Sequence, residues 1–217
     1  NMFDIQNILL SVPTTLLALT IHELAHGWVS EKLGDPTPRF EGRLTLNPLA
    51  HLDLIGTIMM VLTGFGWAKP VRINPKYYKD QTKGMALTAA AGPIANFVLA
   101  ILGMFIGYLI ALASIHLGAS INTFGTILYI TQFFVMRNLC FMVFNLIPFP
   151  PLDGFKVAGL FIPKRIYYQI LNYEQYIMFI LMALSFSGAF DFIIGRGVTS
   201  LFNLINAPIS TLFESFI

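Results

Sequence analysis

Residues 85–113, "MALTAAAGPIANFVLAILGMFIGYLIALA", run for 29 positions without a single charged side chain. A helix needs about 20 apolar residues to cross the hydrocarbon core of a bilayer, and lipid tolerates no backbone whose hydrogen bonds are left open. This stretch therefore demands a spanning helix, and it makes the chain an all-α polytopic membrane protein. Composition agrees, with 56% hydrophobic and 11% charged residues against about 25% charged in a soluble domain. The net charge is only +2, and the basic residues are scattered rather than gathered with interleaved aromatics, so no nucleic acid partner is expected. A single cysteine, Cys140, excludes both an internal disulfide and a CxxC metal site.

Further apolar segments raise the expectation to about four to five transmembrane helices. They are a first helix from about Ile5 to Leu33, a span from Ile121 to Ile147 interrupted by Arg137, and a third region around Tyr176 to Phe190. Gly197 to Phe213 is uncharged but holds Asn203, Asn206 and Pro208, leaving open whether it crosses or lies at the interface. Leu54 to Trp67 is short for a span and ends in Gly-Phe-Gly, which suits a re-entrant or interfacial segment. Charge bias tests this assignment. If Leu54 to Trp67 does not cross, Lys32, Arg39 and Arg43 share a side with Lys69, Arg72, Lys76, Lys79, Lys83, Lys156, Lys164 and Arg165, leaving Arg196 opposite. Crossing would give a weaker bias. Within the same loop, "GRLTLNP" and "WAKPVRINP" alternate polar and apolar residues and end in Asn-Pro, predicting short β-strands over Gly42 to Asn47 and Trp67 to Asn74 near the inner membrane surface.

The chemistry sits in "TIHELAHGW". His22 and His26, at i and i+4, share one helical face and can present imidazole nitrogens to one zinc, while Glu23 can reach an attacking water. Ionisable groups placed in an otherwise apolar membrane helix are functional by default. Two histidines require a third ligand. His116 and Asp191 are expected at outer helix ends, away from His26. Asp153 follows "NLIPFPPLDG", where Pro148, Pro150 and Pro151 break the preceding span and free the chain to turn a carboxylate back. The first helix and that span both end on the inner side only if Leu54 to Trp67 does not cross. Asn145 is a candidate oxyanion donor or else a cap on its own helix end. Asn96 reads as an interhelical hydrogen bond, and His51 and Asn47 as supports of the site or pins of the loop.

HExxH, "NPLAH", "AGPIAN" and "NLIPFPPLDG" occur in that order between about Leu16 and Val157, and together they resemble the site-2 protease family of intramembrane zinc metalloproteases, in a short form without PDZ or CBS modules. The resemblance implies Zn2+ held by His22, His26 and Asp153, Glu23 as general base, and a substrate-handling role for Asn145. It further implies one integral-membrane metalloprotease domain over 1–217, with a catalytic core of about 5–163 and C-terminal helices of about 172–215. The implied partners are the lipid bilayer and a transmembrane protein or peptide substrate, and the implied location is the cell membrane with the active site towards the cytoplasm. Arg137 in mid-span and Lys156 after LDG depart from the family pattern. A zinc-binding scaffold and a metal transporter are the competing classes. A scaffold has no need of Glu23, and a transporter would spread its ionisable groups across the bilayer depth.

Overall fold

A computed structural model describes residues 5–63 and 67–214. Among the described residues nine α-helices follow one another: α1 (Ile5–Lys32), α2 (Thr37–Phe40), α3 (Leu54–Thr63), α4 (Gln81–His116), α5 (Ile121–Asn145), α6 (Asp153–Ala158), α7 (Lys164–Leu171), α8 (Glu174–Phe186) and α9 (Asp191–Glu214). Among the described residues three of them, α4, α5 and α9, are long and apolar enough to cross a membrane. The chain is helical and membrane-embedded, as expected, but the expected span over Tyr176 to Phe190 is corrected. Its helix, α8, has 13 residues, about 20 Å at 1.5 Å per residue, against a hydrocarbon core of about 30 Å.

Side-chain contacts fix the directions of the long helices. α1 and α4 run antiparallel, with Asn96 of α4 bonded to the Ala18 carbonyl and Thr88 to His26. α5 returns beside α4: Gly107 faces Thr131, and Gly103 faces Phe134. These glycines are the small residues that let two membrane helices approach closely. In α9, Gly197 meets Val143 near the inner end of α5, Phe190 just before it meets Phe144, and Asn206 accepts a bond from Tyr108 farther along α4. α9 therefore starts at the inner end and runs outward. Asp191 lies at that inner end, not at the outer end expected from a crossing α8. Arg196 moves with it, so every Lys and Arg except Arg137 is gathered at the inner end of the bundle, and Arg137 rests over the Phe133 ring.

The expected β-strands are absent among the described residues. Residues 42–47 and 67–74 are irregular, joined to the rest by one antiparallel bridge between Leu52 and Ala68 and by the Lys69 N–H to the His51 carbonyl at 2.9 Å. Side chains have taken the backbone groups a ladder would use. Buried Arg43 donates to the Ala50 and Pro70 carbonyls, His51 Nε2 to the Thr45 carbonyl at 2.9 Å, and the Asn74 N–H goes to Asp35 Oδ2 at 2.7 Å. Pro70 has no N–H to contribute. Asn47 and His51 thus pin the loop, the former by accepting the Leu49 N–H at 3.1 Å. α3, ten residues long, agrees with a segment too short to cross; residues 64–66 lie outside the described residues.

Asp35 is the second anchor of this loop. Fully buried, it accepts the Thr37 N–H and hydroxyl, the Ser30 hydroxyl and the Asn74 N–H. Burial alone would push its carboxyl up, but these donors, led by the Thr37 hydroxyl, hold it below the ordinary carboxylate value.

Candidate metal centre

The histidines come from the inner half of α1, where the i, i+4 spacing puts both rings on the face turned to α4. His22 and His26 Nε2 are 3.0 Å apart, and Asp153 Oδ2 lies 3.1 Å from each. All three side chains are buried. Among the described residues this is the one group of His, Cys, Asp or Glu whose donor atoms converge as a metal requires.

The outer atoms of the rings decide what the inner atoms can do. His26 Nδ1 lies 2.7 Å from the Thr88 carbonyl and must donate to it. For His22 the assignment runs through two asparagines. Asn138 Nδ2 donates to the Phe134 carbonyl at 2.9 Å, so its Oδ1 accepts from Asn96 Nδ2, which also donates to the Ala18 carbonyl. Asn96 Oδ1 is left to accept from His22 Nδ1 at 2.7 Å. Each ring, when neutral, therefore carries its proton on Nδ1 and turns an Nε2 lone pair inward. Two lone pairs and a carboxylate oxygen face one another across 3.0–3.1 Å, an arrangement that repels unless a cation sits among them. Zinc fits the donor set: bonds of about 2.0 Å at tetrahedral angles separate neighbouring ligands by about 3.3 Å. The second nitrogen of each ring is anchored as in known metal sites.

Asp153 opens α6, and Gly154 allows the approach: a side chain there would strike the Leu146 backbone, so the loop after α5 packs directly on the start of α6. Lys156 Nζ reaches Asp153 Oδ1 at 3.3 Å. Gly92 closes the site from α4. A Cβ at this position would come within 2.6 Å of His22 Cε1 and of His26 Nε2.

Glu23 is half-buried beside the pair, and its Oε2 accepts the Val71 N–H at 2.9 Å. Asn145 stands apart from the cluster in its hydrogen bonding, its Nδ2 donating to the Phe141 carbonyl one turn back at 3.0 Å. Asn138 and Gly92 were not singled out in the sequence. "AGPIAN" holds Gly92 and Asn96 four apart, on the face of α4 turned to α1, and that spacing could have revealed Gly92. Asn138 carries no comparable signal in an apolar span.

Residues 14–187 match the profile of Peptidase family M50. The chain belongs to this family. It is 34% identical over 208 residues to YwhC of Bacillus subtilis (strain 168), covering 94% of this chain and 90% of that one. It is 30% identical over 146 residues to Rip2 of Mycolicibacterium smegmatis (strain ATCC 700084 / mc(2)155), covering 64% of this chain and 52% of the other. Both relatives bear the provisional name of zinc metalloprotease. No solved structure gives a significant match. As an M50 member, the chain is a membrane zinc metallopeptidase of the site-2 protease type.

Proposed function

We propose that the chain is a single-domain intramembrane endopeptidase that cuts peptide bonds within or near transmembrane segments, as in regulated intramembrane proteolysis. In this reading His22, His26 and Asp153 hold zinc and Glu23 is the base. The observation that carries it is the meeting of three inward-facing acceptor atoms at 3.0–3.1 Å, with both outer ring nitrogens already engaged.

The 28-residue α1 serves as a fourth crossing beside α4, α5 and α9. Gathering twelve of the thirteen Lys and Arg residues at one end supports a cytoplasmic inner end by the positive-inside rule, with the cell membrane as the location. Asn96, level with His22, is 20 residues from His116 at the other end of α4, about 30 Å along the helix. Met85, where the charge-free run begins, lies 11 residues, about 16 Å, to the other side, which supports a site in the inner half of the bilayer, reached by water from the cytoplasm.

Held by His22, His26 and Asp153, zinc would supply a Lewis acid and would lower the pKa of a water to about 7. Glu23 takes the proton of the attacking water and returns it to the leaving amine. The Val71 N–H aims the Glu23 carboxylate by fixing one of its oxygens. Asn145 serves as oxyanion donor once its amide turns from the Phe141 carbonyl to the developing charge. The substrate helix must unwind locally, because an intact helix keeps its carbonyls in its own hydrogen bonds.

The test is Glu23→Gln in reconstituted protein. Zinc should stay stoichiometric while cleavage of a model transmembrane substrate falls about 100- to 10,000-fold. Full cleavage by this variant would refute the mechanism. Loss of zinc in Asp153→Ala with Glu23→Gln still loaded separates ligand from base.

A further inference from the structure

We propose that the cleft between the inner end of α4 and α7 binds the phosphate of an anionic phospholipid. The cleft has a volume of about 170 Å³ and is walled by Lys156 and Lys164, with no carboxylate in its lining. Lys164 makes no ion pair among the described residues. Asp80, the acid near enough to feel it, is turned to cap α4, accepting the Thr82 and Lys83 N–H groups at 3.1 Å each. Lys156 extends from the Asp153 side into the same space. The Lys164 ammonium is thus left without a partner among the described residues, beside a cavity whose lining holds no carboxylate, while Lys156 on the other wall is paired with Asp153.

The surroundings specify a lipid. Met85 in the cleft wall is the first residue of the charge-free run, with Lys83 just before it, so the cleft lies where hydrocarbon gives way to headgroups. α7 carries Lys164 and Tyr168 to the rim, and Phe161, Tyr173 and Tyr176 nearby are 85%, 62% and 60% exposed. Exposed aromatics at a helix end mark the interfacial belt, and basic pockets between membrane helices at this depth suit anionic headgroups. Met85 and Leu171 add apolar wall to the cavity, as the glycerol and first acyl carbons of a lipid require. The volume is below the range of about 300–1,000 Å³ that takes drug-sized ligands, but it accommodates a phosphate with its glycerol.

Native mass spectrometry of the intact protein, released from micelles containing equal phosphatidylglycerol and phosphatidylcholine, tests the site. One phosphatidylglycerol per chain should be retained, with a preference of at least about fivefold, the ratio that goes with one lysine at an anionic surface. Lys164→Glu should abolish the preference and Lys164→Arg should keep it. Arg165→Glu makes the same charge change on the same helix outside the lining, and it should also keep the preference. Lys164→Gln replaces the reversal if that variant fails to fold. Equal retention of the two lipids by the wild type, or equal loss in Lys164→Glu and Arg165→Glu, would overturn the proposal. Displacement of the lipid by millimolar inorganic phosphate would also overturn it, by showing a free-phosphate site.

Discussion

The two halves of α4 contrast. Its outer half packs on α5 through Gly103 and Gly107, with Phe134 and Thr131 filling the space each glycine leaves. Its inner half meets α1 and α5 through polar atoms: Asn96 bonds to His22, Ala18 and Asn138, and Thr88 bonds to His26. Both halves use glycine, for different ends. Gly107 makes room for a neighbouring helix, whereas Gly92 makes room for the ligand set itself. In lipid, apolar contact alone gives two helices little reason to prefer each other over the bilayer, so the polar half supplies specificity while the glycine half supplies proximity.

Breaking the inner half should have the largest effect. Gly92→Val would put a branched side chain where His22 and His26 meet, and stoichiometric zinc should be lost together with all cleavage, as read by metal analysis of purified protein. Asn96→Leu leaves the histidines in place but removes the acceptor for His22 Nδ1. Zinc affinity should fall about 10- to 100-fold, measured by chelator competition, with helix content unchanged. In the outer half, Gly107→Leu should leave zinc affinity unchanged and lower stability by about 1–3 kcal/mol through overpacking against Thr131. Reversible unfolding in mixed micelles measures this change. Zinc loss in that variant would mean that the halves are not separable.

The smallest effect lies outside the bundle, at Asp35. Its carboxyl is depressed in the folded chain, so the stability it contributes is present above the unfolded value of about 3.9 and is lost as pH falls through the folded value. Acidification below about pH 4 should loosen the 34–80 loop in the wild type, followed by hydrogen exchange at Asn74 and Thr37. Asp35→Asn should be weaker by about 1 kcal/mol at neutral pH and should lack that acid transition.

The convergence of His22 and His26 was legible because helical spacing is local. Four residues separate His22 from His26, and the proline cluster before Asp153 announces a chain reversal. The short helix over Leu54 to Thr63 was legible by length alone. The direction of α9 was not, since it depends on which helix Phe190 and Asn206 meet, and the 15-residue run from Tyr176 to Phe190 is itself short of a span, its helix ending at Phe186. The expected strands failed for a related reason. Alternation in "GRLTLNP" and "WAKPVRINP" describes side chains, but buried Arg43, His51 and Asp35, distant in sequence, had claimed the backbone. Asn138 was hidden because an asparagine in a span declares a partner without naming it.

The Val71 N–H on Glu23 has a consequence for how the sequence can drift. A restraint made by a main-chain donor does not depend on side-chain chemistry, so position 71 can change to another apolar residue that fits its buried site and still deliver the same hydrogen bond. Proline alone would delete it. Glu23, the proposed base, is thereby insulated from backbone-neutral changes at that position, while each candidate metal ligand depends on one irreplaceable side chain.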